Sequence, residues 1–311
     1  MADPRIRLRH LTVFLEVAHR EGVMAAAEAL AVTQPAVSKT VQELEEILGV
    51  ALFVRSRAGM ALTPEGRLFQ RHAEASVAAL NAGVDTVRFA RSAETEIVRV
   101  GALPTVAARL MPPAARRYKA AGGAGLIRII SAPNSLLLRD LRAGDLDMVV
   151  GRMAEADGMS GLSFEHLYSE AVVFVVRRGH PLLEGAPTAD LRRIATFPVL
   201  LPTGRAIIRP FVDRLMRSAG VAELPDRIET VSAEFGRRHV LGTDAVWIIS
   251  RGVVAADLDD GILVELPVDT RETLGPVGLT MRVDARPGPE ADAFMAAVRA
   301  EAEVVRGEGD S

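Results

Sequence analysis

Ala25-Ala26-Ala27-Glu28-Ala29-Leu30-Ala31-Val32-Thr33-Gln34-Pro35-Ala36-Val37-Ser38-Lys39 is the stretch on which the architecture of this chain turns. Four alanines make a helix thin enough to press closely against a second one. Ala31-Val32-Thr33 is a short turn. Thr33 is a candidate N-cap, and Pro35 falls in the first turn, where its missing N–H does no harm. The second helix then carries Val37, Val41, Leu44, Ile47 and Leu48 on one face, with Gly49 closing it. This is the length and pattern of a helix-turn-helix, and its polar N-terminal turn suits a major groove. Gln34 can pair bidentately with adenine, Lys39 can reach guanine or phosphate, and Pro35 or Ala36 can touch a thymine methyl. An ordinary capped helix in a bundle is the alternative that the stretch alone leaves open.

Upstream, Leu8, Leu11, Phe14, Leu15 and Ala18 follow the i, i+3, i+4, i+7 spacing of a half-buried helix, which Gly22 ends. Downstream, Phe53-Val54-Arg55, a turn-prone Arg57-Ala58-Gly59 and Met60-Ala61-Leu62 suggest a small β-hairpin wing. From Pro64 to about residue 92 no proline intervenes, and Ala73, Val77, Leu80, Val84 and Val87 step by 4 and 3 as an a/d seam does. Such a helix is about 43 Å long at 1.5 Å per residue. The stripe is expected to be covered by a second copy in a dimeric coiled coil, with packing inside the chain as the other option.

After residue 92 the grammar changes. β-rich runs at 97–103, 126–131, 147–151, 171–177, 198–201, 245–249, 262–266 and 277–283 alternate with helical patterns at 105–121, 135–143, 205–219, 233–241 and 288–304. This predicts an α/β architecture with largely parallel sheets, behind an all-α N-terminal part.

Composition sets the limits. The 311 residues are 49% apolar and 25% charged, so the chain can bury a large core and is not intrinsically disordered. The net charge of −3 excludes a wholly basic nucleic-acid binder. Residues 1–92 hold 11 basic and 10 acidic side chains and the rest 26 and 30, so +1 stands against −4. With no cysteine, disulfides, thiolate zinc sites, iron–sulfur clusters and thiol catalysis fall away. The start of the chain has no signal-peptide core and no apolar run approaches the roughly 18 residues of a membrane span, so a soluble, cytoplasmic protein is expected.

Leu8-Arg9-His10-Leu11-Thr12-Val13-Phe14, Ala26-Ala27-Glu28-Ala29-Leu30, Thr33-Gln34-Pro35-Ala36-Val37-Ser38, Leu44-Glu45, Leu48-Gly49, Leu52-Phe53-Val54-Arg55 and Leu62-Thr63-Pro64-Glu65-Gly66 run in order over some sixty residues. Together they resemble the LysR-type transcriptional regulators. Met24 departs from the pattern, where many members carry a small hydroxyl residue; that touches helix capping more than base reading. The resemblance implies a winged helix-turn-helix at 1–63, a long dimerisation linker helix at 64–92 and a periplasmic-binding-protein-like effector domain of two α/β subdomains at 93–304. Lobe I is placed at about 93–168 and 269–304, lobe II at about 169–268, and 305–311 as a disordered tail. The DNA-binding residues it implies are Thr33, Gln34, Pro35, Ser38, Lys39, Arg55 and Arg57. The implied partners are double-stranded promoter DNA, a small-molecule effector, further copies of the chain (a dimer, then a tetramer) and RNA polymerase, with no membrane.

Blocks at 98–106, 144–152, 164–170, 228–232, 247–250 with 252–257, and 275–282 resemble one branch of the family more closely. That branch activates the protocatechuate arm of the β-ketoadipate pathway in response to β-carboxy-cis,cis-muconate; a sister branch controls a sugar-uptake gene. A carboxylate site is consistent with the residues: Thr105, Asn134 with Ser135, and Thr203 stand where strands give way to helices, whose N-termini favour anions. Arg152 and Arg205 would add charge-assisted bonds. Each of these residues has a purely structural alternative as a helix cap, and Arg205 as a solvated side chain.

No enzyme signature competes. The six His are scattered without metal-ligand spacing, and no cofactor is expected. Gly122-Gly123-Ala124-Gly125 lacks the third spaced glycine and the following helix of a dinucleotide site. There is no G-x-S-x-G elbow and no phosphate loop. Trp247 sits in an apolar strand as core, and His180-Pro181 reads as a structural turn. Two rivals remain: a regulator of the same family answering a sugar, and a solute-binding or enzymatic α/β protein with an incidental helical N-terminus.

Overall fold

The computed structural model describes residues 3–56, 59–91, 95–184, 190–221 and 223–309. The chain forms two compact units, one holding the N-terminal residues to 94 with the short segment 142–145, the other holding the remainder.

In the first unit α1 (Leu8–Arg20), α2 (Val23–Ala29) and α3 (Gln34–Leu48) surround Phe14, Val17, Ala26, Ala27, Val37 and Leu44. The alanines of α2 let its backbone approach both neighbours. Glu21 takes a left-handed conformation, φ 54°, so α1 stops one residue before the predicted Gly22, which instead caps α2. Thr33 stands at the N-cap of α3 with extended backbone, but its hydroxyl makes no capping hydrogen bond. Strands β1 (Phe53–Ser56) and β2 (Gly59–Leu62) pair antiparallel as the wing, Phe53 opposite Leu62. Helix α4 (Pro64–Arg91) starts on the Thr63 hydroxyl, which accepts the Gly66 N–H at 2.9 Å. Phe69 of α4 packs edge-on against Phe14, whose other side meets Phe53. The heptad therefore splits: Ala73 and Val77 join this core, whereas Leu80 and Val84 are exposed at 46% and 42%. The Val87 side chain lies outside the described residues.

The second unit contains two five-stranded sheets. One is built from β3 (Ile97–Ala102), β4 (Leu126–Ser131), β5 (Met148–Arg152), β6 (Leu162–Glu170) and β12 (Gly275–Arg282), in the order β4-β3-β5-β12-β6. The other is built from β7 (Val172–Arg177), β8 (Val199–Leu201), β9 (Arg227–Glu229), β10 (Val246–Ser250) and β11 (Leu263–Glu265), in the order β11-β7-β10-β8-β9. The chain crosses between them twice, at Ala171 and in the segment after β11. Helices α5 (Pro104–Arg109), α6 (Met111–Ala120), α7 (Asn134–Ala143) and α12 (Pro289–Gly309) pack into the first core, around Tyr118, Leu137 and Phe294. Helices α8 (Leu191–Ile194), α9 (Arg209–Ser218), α10 (Ala233–Gly242) and α11 (Arg251–Asp259) pack into the second, around Phe174 and Trp247.

Three expectations change. The sheets are mixed rather than largely parallel: β12 runs antiparallel to β5 and β6, and β7 antiparallel to β10 and β11. At both crossings the chain enters the new sheet without the helical crossover that a parallel neighbour requires. Strands β6 and β9 were not anticipated. And α12 continues to Gly309, so the tail expected to be disordered from residue 305 is helical up to there.

Candidate DNA-reading helix and ligand cleft

The N-terminal turn of α3 is turned outward. Val37 is buried, while Gln34, Pro35, Ala36 and Lys39 are exposed and Ser38 is half-buried. Thr33, exposed and free of capping duty, adds its hydroxyl at the same end. Pro35 has no N–H and the Ala36 and Val37 N–H groups both donate to the Thr33 carbonyl, so this tip offers a positive dipole end and the Lys39 cation rather than a row of free donors. Lys39 Nζ lies 3.9 Å from Glu43, one turn further along.

A side chain of this helix fastens the start of the wing. Glu45 of α3 accepts the N–H groups of Leu52 at 2.7 Å and Phe53 at 3.1 Å. Arg55 lies in β1 with its backbone opposite Met60. Its side chain, and Arg57 altogether, lie outside the described residues.

In the second unit a cavity of about 270 Å³ opens at the carboxyl ends of β3, β4, β8 and β10. Ligands of open α/β sheets characteristically settle in this position. Its size is near the lower end of the roughly 300–1,000 Å³ of small-molecule sites. The walls are mainly apolar, from Leu103, Pro133, Ile207, Ile208, Val231 and Ile249, and the polar groups are few. Thr105, in the first turn of α5, has its hydroxyl buried with no hydrogen-bond partner. Asn134 opens α7, and Thr203 and Arg205 come from the loop after β8, so these predicted residues meet in one cleft. That loop runs on to α9 only at Arg209, which makes Thr203 a loop residue rather than a helix cap.

Two predicted residues stand elsewhere. Ser135 is exposed and does not line the cavity. Arg152, the last residue of β5, is buried at 6% exposure; its guanidinium donates to the Thr273 carbonyl and lies 4.5 Å from the centre of the Phe211 ring. It thus ties β5 to the second crossing and to α9. Burial lowers its pKa, offset in part by the Glu170 charge. Ser250 is the residue that sequence reasoning missed. It is 1% exposed, lines the cavity and stands at the N-cap of α11 without making a capping bond. The strand-to-helix logic applied to Thr105 would have found it after Trp247-Ile248-Ile249.

A buried acid sits behind α11. Glu170, at the end of β6, accepts the Gly252 N–H at 2.9 Å. Burial pushes its carboxyl up to about 7, against the Gly252 hydrogen bond and the charges of Arg109, Arg152 and Arg251. Nearby Thr273 accepts the Val172 N–H through its hydroxyl, so the two crossings are pinned to each other. Among the described residues no group of His, Asp and Glu could hold a metal ion, and no helix is long and apolar enough to cross a membrane.

Comparison with known proteins identifies the family of both parts of the chain. Residues 8–67 match the model of the bacterial regulatory helix-turn-helix protein, lysR family, and residues 91–303 that of the LysR substrate binding domain. The chain is 49% identical over 300 residues to the HTH-type transcriptional regulator PcaQ of Agrobacterium fabrum, covering 96% of each. It is 36% identical over 281 residues to the uncharacterized HTH-type transcriptional regulator YdcI of Escherichia coli, covering 90% and 91%. The solved structure of full-length CbnR complexed with its target DNA superposes with a TM-score of 0.54 at 21% identity, over 95% of this chain and 100% of that one. Full-length BenM gives 0.55 at 21%, over 98% of each. At such identities the two structures speak to fold.

Proposed function

The chain belongs to the LysR family of DNA-binding transcriptional regulators, a family of non-enzymes, and we propose that it activates genes of the protocatechuate arm of the β-ketoadipate pathway in response to β-carboxy-cis,cis-muconate. The observation that carries this is the 49% identity to PcaQ, which extends through the effector domain. The cleft supports it chemically. An unsaturated carbon skeleton suits walls of Ile207, Ile208 and Ile249, while its carboxylates find Thr105, Asn134, Ser250, Thr203 and Arg205. Carboxylate at such donors forms charge-assisted bonds, which are roughly twice as strong as neutral ones.

Promoter DNA is read by Gln34, Pro35, Ser38 and Lys39, with Thr33, Arg55 and Arg57 on the backbone. The exposed Leu80 and Val84 of α4 pair with a second copy, and two dimers form the working tetramer that meets RNA polymerase. Paired reading helices then face half-sites about 34 Å apart. Calorimetry with β-carboxy-cis,cis-muconate, cis,cis-muconate and galactose tests the effector. The expected result is tightest binding of the tricarboxylate, weakened at least about tenfold in Arg205→Ala, the loss of one charge-assisted bond. Binding of galactose alone would overturn the assignment in favour of a sugar-responsive regulator.

A further inference from the structure

Glu43 is an acidic side chain set among cations at the root of the reading turn, and three groups face it. Its Oε2 lies 3.0 Å from the Arg9 guanidinium and 3.4 Å from His10 Nε2; its Oε1 faces Lys39 Nζ at 3.9 Å. His10 is 2% exposed; its Nδ1 accepts the Arg7 N–H at 3.1 Å, and its Nε2 stands between the Arg9 Nε, 3.5 Å away, and Glu43. Desolvation raises the carboxyl, but the His10 hydrogen bond and the Arg9 and Lys39 charges outweigh it and hold the pKa below its usual value. Glu43 is therefore an anion fixed on the flank of α3, where DNA phosphates would pass.

We propose that Glu43 is a specificity-determining positioning residue, which restrains Lys39 and Arg9 from sequence-independent phosphate contact and aims Lys39 at base edges. An ammonium has three donors. One directed at Glu43 leaves two for the paired acceptors that guanine presents in the major groove. A phosphate contact, by contrast, draws Lys39 away from Glu43 and brings two anions together. The carboxylate thus penalises backbone binding while leaving base reading intact, and the gain is in discrimination rather than affinity.

The inference rests on α3 being the reading helix, and the test separates the two. The wild-type full-length protein selects an operator duplex from a random-sequence pool; affinities for it and for a shuffled duplex of equal composition are then measured from 50 to 200 mM salt. Glu43→Gln is expected to bind shuffled DNA about three- to tenfold more tightly, with a salt slope steeper by about one, as one further phosphate contact gives. Its operator-to-shuffled ratio falls correspondingly. Glu46→Gln removes the same charge from an exposed site on α3 without touching Lys39, and keeps the ratio. In a Lys39→Ala background Glu43→Gln loses most of its effect. An unchanged or higher ratio in Glu43→Gln, or an equal drop in Glu46→Gln, overturns the proposal. Glu43→Asp, which keeps the charge but retracts it from Lys39, is measured alongside and is expected to lower the ratio partway. Gln34→Ala reports on the helix itself: retained operator affinity there would refute the reading-helix assignment, whatever Glu43 does.

Discussion

Replacing Glu170 by Gln is expected to remove one pH-dependent contribution to the folding stability of the effector domain. Glu170 is 5% exposed and sits between the end of β6 and the first turn of α11. Its carboxyl keeps its proton up to about pH 7 in the folded chain, against an ordinary value of 4.5. Between those values the folded chain holds a proton that the unfolded chain has released. The stabilisation is therefore complete below about pH 4.5 and is lost as pH rises through 7. A difference from 4.5 to about 7, at about 1.36 kcal/mol per pH unit, is about 3 kcal/mol.

Gln stands in for the protonated acid: it is neutral at every pH and its amide oxygen still accepts the Gly252 N–H. The variant should come within about 1 kcal/mol of the natural protein near pH 5 and exceed it by up to about 3 kcal/mol at pH 8.5. For a domain of this size each kcal/mol moves the melting temperature by about 2–4 °C, so the gap reaches about 10 °C. Calorimetric melting of both proteins from pH 5 to 8.5 measures it. Parallel curves, or a variant that melts lower at pH 8.5, would show that the Arg109, Arg152 and Arg251 charges outweigh desolvation and that Glu170 is an ordinary buried anion.

Three further outcomes follow from single contacts. Glu45→Ala strands the N–H groups of Leu52 and Phe53 and should destabilise the first unit by about 1–3 kcal/mol in urea unfolding, with hydrogen exchange at Phe53 accelerating first. Gly66→Ala drives a Cβ into the Leu52 carbonyl oxygen at the start of α4, and should lower stability by about 1–3 kcal/mol with reduced operator affinity as the wing shifts. Thr105→Val removes a buried hydroxyl that makes no hydrogen bond within the protein. Its melting temperature should hold or rise, while tricarboxylate affinity by calorimetry falls by roughly tenfold or more.

What was legible in the sequence was local. The spacing of Val37, Val41 and Leu44 fixes which side of α3 is buried, so the exposure of Gln34 and Lys39 follows without knowledge of the rest of the fold. The apolar runs behind β3, β7 and β10 announce themselves because both faces of each are covered. β6 was hidden because the adjacent Glu165-His166 and Leu167-Tyr168 break its alternation, at the irregularity where its register against Val277 and Gly278 shifts, and β9 by its length of three residues. Arg152 shows the harder limit. Its position after a strand pointed to the cleft, but its direction is set by Phe211 and Thr273, far along the chain. The raised pKa of Glu170 depends likewise on packing that no short window of sequence contains.

The distribution of polar groups around the cleft constrains how binding can become regulation. Thr105, Ser131 and Asn134 come from the first sheet's side, and Thr203, Arg205 and Ser250 from the second's. A ligand that touched one set alone would bind open and closed arrangements equally and shift neither, however tight its binding. Under the proposed function, a ligand with carboxylates at both ends of an unsaturated skeleton would engage both sets at once and so would favour whichever arrangement brings them together. A hundredfold preference so gained is about 2.7 kcal/mol, enough to tip a balanced switch but not one already biased by several kcal/mol. Arg152, Glu170 and Thr273, which bond across the two crossings, are the residues placed to influence such a balance. Substitutions there should alter response without altering the cleft itself.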